Sequence, residues 1–205
     1  RYELLENLRF DRREEISDPD FAKALAQKGN IYVNESFATC HRKSASITGM
    51  ASLLPSYAGF QLVKEIETLK KILIDPARPL LAIIGGAKIE SKKTVIQKFA
   101  QIADGVLVGG RLALEESISM DRVYCPVDYM DNKDIGPKTL EGWREMILGA
   151  KTIVWAGPVG LFEEDRYSIG TRCVGKLITE AVSRGCFAVA GGGDTVTALN
   201  KFGLF

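Results

Sequence analysis

The chain has 205 residues, room for one large domain or two modest ones, and a hydrophobic content of 46% that supplies a sizeable core and excludes a disordered chain. Lys and Arg number 27 against 26 Asp and Glu, a net charge of +1, so no global field favours nucleic acid or an anionic membrane. Cys40, Cys125, Cys173 and Cys186 show no CxxC spacing and His41 is the single histidine, which excludes a standard zinc pattern and argues against a disulfide framework.

In chain order, residues 2–8 (Tyr2, Leu4, Leu5) read as a strand. Asp18 and Pro19 are a cap and first turn for a helix through Ala26, ended by Gly29-Asn30. Ile31-Tyr32-Val33 is a short β-branched and aromatic run, residues 34–46 are polar and irregular, and Pro55 closes a helix over 47–54. Residues 58–74 carry Phe60, Val63, Ile66, Leu69 and Leu73 at helical spacing, which predicts the longest amphipathic helix of the chain. Beyond residue 78 the rhythm changes to strands 80–84, 105–108, 152–155 and 187–190, alternating with helices 90–100, from 112, 137–148, 170–183 and from 195, with residues 126–134 as a connector. Strands alternating with helices predict an α/β fold with a doubly wound parallel sheet. Each strand ends in a glycine-bearing turn: Gly85-Gly86, Gly109-Gly110, Gly157-Pro158 and Gly191-Gly192-Gly193. Ligands of such sheets bind outside the carboxyl ends of the strands, so the four turns are expected along one edge.

The residues at those turns suit phosphate. Strand Leu80–Ile84, two glycines, Ala87 and then Lys88 and Lys92 present backbone N–H groups and two cations to an anion, or form an ordinary βα turn with surface lysines. Gly191-Gly192-Gly193-Asp194-Thr195 lets backbone approach a phosphate, with Asp194 on a hydrated Mg2+ and Thr195 on a phosphate oxygen; the plainer alternative is a capped βα turn. No Gly-Lys-Ser or Gly-Lys-Thr follows, so this is not a P-loop. In the loop 155–163, Pro158 shapes a wall and Glu163 is either an acceptor for ribose hydroxyls or a solvated carboxylate. Near the start, Arg9 and Arg42 follow apparent strands and are candidates for bidentate anion binding on one side, or solvated surface arginines; His41 reads as a hydrogen-bonded structural histidine.

Leu4-Leu5-Glu6-Asn7-Leu8-Arg9-Phe10, Val33-Asn34-Glu35-Ser36-Phe37 with His41-Arg42, Gly85-Gly86-Ala87-Lys88, Asp134-Ile135-Gly136-Pro137-Lys138-Thr139, Trp155-Ala156-Gly157-Pro158-Val159-Gly160 and Gly191-Gly192-Gly193-Asp194-Thr195 come in an order that resembles phosphoglycerate kinase over essentially the whole chain. The resemblance implies reversible phosphoryl transfer between 1,3-bisphosphoglycerate and ADP, giving 3-phosphoglycerate and Mg-ATP in glycolysis. It implies a glycerate-binding N-terminal domain and a Rossmann-like nucleotide domain, joined by a long helix and closed by a hinge. Mapped onto this chain, that gives a partial substrate-side domain over 1–57, an interdomain helix over 58–75 and a nucleotide domain over 76–205. By the same resemblance Arg9 and Arg42 hold the glycerate, with Arg42 also catalytic, and Lys88 follows the transferring phosphoryl group. Lys92 meets nucleotide phosphates, Glu163 meets the ribose, and Gly86, Ala87, Gly110, Pro158, Gly191, Gly192, Gly193, Asp194 and Thr195 complete the nucleotide site, with Asp194 on Mg2+.

The chain also departs from the family pattern. Both ends read as cuts, with an N-terminal stretch on the scale of ~100 residues and a final glycine-rich segment expected elsewhere. The region between Val108 and Asp134 is short, Arg111-Leu112-Ala113-Leu114 replaces a more usual Gly-Met-Ala-Tyr, Ala156 stands in place of Asn, and Ala38 in place of Gly. Two functions therefore stay open: a working kinase, or a truncated homologue that only binds Mg-ADP or Mg-ATP. Either is expected to be a cytoplasmic protein with reduced cysteines, monomeric as the family resemblance implies, with small-molecule partners, no nucleic acid and no membrane; no signal-peptide pattern opens the chain and no apolar run approaches the ~20 residues of a membrane span.

Overall fold

A computed structural model describes residues 3–86, 89–115 and 118–204, with backbone alone for Ile89, Glu90, Ser91 and Glu115. The chain divides into two compact units, Arg1–Ile74 and Asp75–Phe205.

The first unit runs α1 (Arg12–Glu15), α2 (Pro19–Ala26), β1 (Tyr32–Asn34), α3 (Met50–Leu53), β2 (Ser56–Ala58) and α4 (Phe60–Leu73). Helix α2 starts where Asp18 caps it: its carboxylate accepts from the N–H groups of Asp20 and Phe21, with Pro19 in the first turn. Buried Glu14 ties α1 to a π-helical turn, Ala45–Gly49, by accepting from the backbone N–H of Ser46 at 3.0 Å and its hydroxyl at 2.6 Å. β1 and β2 form a two-stranded parallel sheet, Tyr32 opposite Ser56 and Asn34 opposite Ala58.

Three expectations fail in this unit. Residues 3–7 form no strand; the Asn7 side chain accepts from the N–H of Arg9 and turns the chain into a 3-10 helix, Leu8–Phe10, so Arg9 does not follow a strand end. The long helix starts at Phe60 rather than 58, because Ser56–Ala58 pairs with β1. Its buried residues are Leu62 and Ile72, whereas Phe60 is 94% and Leu73 62% exposed, so the expected apolar face is not the one this unit covers.

The second unit opens with β3 (Leu80–Ile84), α5 (Ile89–Ile102), β4 (Gly105–Val108), α6 (Leu112–Glu115) and β5 (Val123–Tyr124). It continues with β6 (Tyr129–Met130), β7 (Asp134–Ile135), α7 (Pro137–Gly149), β8 (Thr152–Ala156), α8 (Ile169–Ser183), β9 (Phe187–Gly191) and α9 (Gly193–Phe202). The expected strands and helices are all present. Two features were missed: β5 adds a fifth strand, and the connector contains the antiparallel pair β6–β7, each strand only two residues long.

The main sheet is parallel throughout, in the order β5-β4-β3-β8-β9. Every residue of β3 and β4 is buried, as a parallel sheet with helices on both faces requires. On one face Leu81, Ile83, Leu107, Ile153 and Trp155 pack with Trp143 and Ile147 of α7 and Val174 and Ile178 of α8. The fold is α/β and doubly wound. The chain moves outward from β3 through β4 to β5, returns to the other side of β3 as β8, and ends at β9. The direction therefore reverses between β3 and β8, and a crevice opens at the carboxyl ends of those two strands.

Candidate functional site

The turns after β3 and β8 meet at this switch point. Gly85 N–H donates to the Ala156 carbonyl at 3.0 Å, Gly109 N–H to Ile84 at 2.9 Å and Gly110 N–H to Val159 at 2.9 Å, which knits three of the glycine turns together. Two of these glycines are obligatory on geometry. Gly157 has φ +100°, and a Cβ there would overlap the Gly85 carbonyl; Gly86 has φ +99°, and a Cβ there would sit 2.9 Å from Lys92 Nζ.

Above them lies a cavity of about 470 Å3. Gly86, Gly110, Pro158, Glu163 and Asp194 line it, so five of the expected site residues come together. Leu114, Tyr129, Leu161 and Phe162 supply an apolar side, and Arg111, Lys133 and Asp134 supply charge. These last seven were not among the expected site residues. Asp134 stood in a quoted motif, and Tyr129 stood in a stretch read as a connector.

Lys92 is not among the residues that line the cavity. Its ammonium donates to the Gly85 carbonyl and to the Ala156 carbonyl, the latter at 3.2 Å. Burial pushes its pKa below the ordinary lysine value, partly offset by the charge of Asp194. Two strand-end carbonyls thus hold one desolvated cation beside the turn. Ala87 and Lys88 lie outside the described residues.

At the far side, β9 ends in exposed Gly191, Gly192 and Gly193, and α9 begins with Gly192 as a cap that has no side-chain hydrogen bond. The first turn of α9 carries the exposed Asp194, and the leading N–H groups of a helix have no partner within the helix itself. Thr195 behaves otherwise than expected: it is fully buried, its hydroxyl donates to the Gly191 carbonyl at 2.8 Å and accepts from Gly157 N–H at 2.8 Å. That hydroxyl fastens the β9 turn to the β8 turn and has no hydrogen left for a phosphate oxygen.

Among the described residues no group of three His, Cys, Asp or Glu side chains could form a metal cage. A single exposed carboxylate beside free helix N–H groups fits Mg2+ in its usual mode, held by one carboxylate together with a ligand's phosphate oxygens. The four cysteines are free thiols, and no helix among the described residues is long and apolar enough to cross a membrane.

In the first unit a second cleft, about 640 Å3, is lined by Asn7, Arg9, Ser36, Thr39, His41 and Arg42, among others. Both expected arginines are exposed and share this cleft, although neither reaches it from the end of a long strand.

The second unit is a doubly wound α/β fold with its crevice at the switch point. The family model described as phosphoglycerate kinase matches residues 2–118 and 115–205. The phosphoglycerate kinase of Dictyoglomus turgidum is 36% identical over 252 residues, covering 98% of this chain and 63% of that protein. That of Thermosipho africanus is 37% identical over 253 residues, with the same coverage of 98% and 63%. Solved phosphoglycerate kinases from Coxiella burnetii (29% identity, TM-score 0.77) and Pyrococcus horikoshii OT3 (27%, TM-score 0.81) superpose on 97% of this chain and 64% of theirs. The chain belongs to the phosphoglycerate kinase family. It spans about 63% of the length of the curated relatives it matches. The alignments run over more positions than the chain has residues, and the family match breaks at residues 115–118, within the region that the sequence reads as shortened.

Proposed function

We propose that this chain performs the phosphoryl transfer of its family, moving a phosphoryl group between 1,3-bisphosphoglycerate and ADP to give 3-phosphoglycerate and ATP. The observation that carries the reading is the convergence of Gly86, Gly110, Pro158, Glu163 and Asp194 on one cavity at the β3/β8 switch point. The second unit takes the nucleotide, and residues 58–75 serve as the link and hinge to a glycerate-side domain over 1–57. Leu161, Phe162, Tyr129 and Leu114 give the base an apolar side, Glu163 accepts ribose hydroxyls, and the α9 N-terminus meets the phosphates.

Phosphoryl transfer asks for positioning and charge neutralisation rather than covalent chemistry. Lys92 supplies a cation held in place before the ligand arrives, Lys88 follows the migrating group, and Arg9 and Arg42 hold the glycerate. Asp194 would hold Mg2+, which when bound would neutralise charge on the nucleotide. The setting is glycolysis in the cytoplasm, and the chain works as a monomer.

One observation favours a second reading: relatives carry more than a third of their length beyond what this chain matches. The second reading is a homologue that binds Mg-ADP without turning it over. A coupled assay for ATP formation from 1,3-bisphosphoglycerate and Mg-ADP separates the two. The kinase reading gives a rate above background that Lys88→Ala lowers far more than it weakens nucleotide binding. Saturable Mg-ADP binding with no turnover supports the second reading, and no binding at all refutes both.

A further inference from the structure

Asp134 is a charged residue buried to 2% exposure at the edge of the cavity, and nothing in the proposed chemistry uses it. It sits at the start of β7, and its carboxylate has two backbone donors. Gly170 N–H in the first turn of α8 donates to Oδ2 at 2.7 Å, and its neighbour Ile135 N–H donates to Oδ1 at 2.9 Å. Oδ1 lies against Gly160 and Gly170 so closely that a Cβ at either position would overlap it. The loop 157–163, which carries Pro158 and Glu163 on the cavity wall, packs Gly160 against this carboxylate and is itself held by bonds to Thr171 and Lys133. Thr171 Oγ1 accepts from Val159 N–H at 3.1 Å and from Gly160 N–H at 3.2 Å, and the Lys133 carbonyl accepts from Leu161 N–H at 2.8 Å.

We propose that Asp134 is a positioning residue: its buried carboxylate is a buckle that ties β7 to the start of α8 where Gly160 of the 157–163 loop packs against it, and the cavity takes its nucleotide only with that buckle closed. The proposal rests on the nucleotide reading of the cavity. Protonation opens the buckle, because a carboxylic acid has one strong acceptor oxygen where the carboxylate has two, and the site offers two N–H donors. Burial pushes the Asp134 carboxyl up to about 6, against the two N–H bonds that pull it down. The charges on the surrounding elements are committed elsewhere or exposed. Lys133 pairs with Glu164, Arg166 with Asp131 and Asp165 with Lys201, while Glu163 faces solvent and Arg172 of α8 acts on Asp165.

Two measurements on the full chain test this. Without ligand, the Gly170 amide proton shift is expected to titrate with a midpoint of about 6 in the unmodified chain and to stay flat in Asp134→Asn. A Gly170 amide that does not move between about pH 5 and 7 overturns the proposal without needing any variant to fold. With Mg-ADP, calorimetric affinities of both proteins are taken at about pH 7 and pH 5. ADP's own phosphates titrate in this range, so the quantity read is the ratio of the two affinities. Binding that needs ionised Asp134 makes the ratio of wild type to Asp134→Asn fall about tenfold between those pH values. Binding with a constant ratio overturns the role of Asp134 alone. No Mg-ADP binding at either pH overturns the nucleotide reading and the ligand half of the proposal with it.

Discussion

The two units bury their parallel strands very differently. In the second unit β3 and β4 are buried at every residue, covered by helices on both faces. In the first, β2 is exposed at every residue, and Val33, Tyr57 and Phe60 stand 47%, 61% and 94% open. A parallel pair of three-residue strands has neither the flanking strands nor the two covering layers that such pairing needs. The first unit buries only Ala22, Leu25, Ala26, Ala45, Leu62 and Ile72 among its described apolar residues, beside the polar cap of Asp18 on α2 and the tie of Glu14 to Ser46. The same comparison separates the candidate sites. The switch-point cavity sits on an interlocked sheet edge, and the arginine cleft sits on turns.

The largest expected effect falls on the second unit's core. Trp143→Ala, at a position 4% exposed between α7 and the sheet, should destabilise that unit by about 3–5 kcal/mol in denaturant unfolding. Native-state hydrogen exchange should show the contrast directly: amides of β3, β4 and β8 protected, those of residues 3–57 exchanging fast. Uniform protection would erase the comparison.

Next comes the cap of α4. The Glu35 carboxylate accepts from the N–H groups of Phe60 at 3.1 Å and Gln61 at 2.7 Å, in place of a cap from Gly59. Glu35→Ala should cost about 1 kcal/mol, read as earlier loss of helix in the first unit with the second unit unaffected.

The remaining effects are pH slopes in the second unit. Lys92 has a folded pKa below its unfolded value, so the unfolded chain holds more protons, and stability rises with pH as the solution approaches the ordinary lysine value of 10.5. Lys92→Met should abolish that rise. Asp134 works in the opposite sense: its pKa is higher in the folded chain, so stability falls as pH climbs from 3.8 to about 6, and Asp134→Asn should flatten the curve there.

The legible parts of the sequence were those with local causes. Leu80–Ile84 and Gly105–Val108 are apolar runs stopped by glycines, and both strands occur with those bounds. The glycine turns followed from strand ends alone, and three of them interlock in space. Val123–Tyr124 and the β6–β7 pair escaped because two residues carry no readable period. The face of α4 was misjudged because spacing gives an apolar stripe but not whether anything covers it; Leu62 and Ile72 are buried and Phe60 is not. Thr195 and Asp134 owe their roles to partners distant in sequence, Gly157 and Gly170, which no local pattern announces.

The central claim is that the β3/β8 switch-point cavity is a nucleotide site. Amide chemical-shift mapping of the full chain with Mg-ADP tests it most directly. The account predicts saturable shifts at Gly86, Gly110, Gly157, Val159 through Glu163 and Gly193-Asp194, with the interior of β3 unmoved. Saturable shifts confined to other residues, or none at millimolar Mg-ADP, would contradict it.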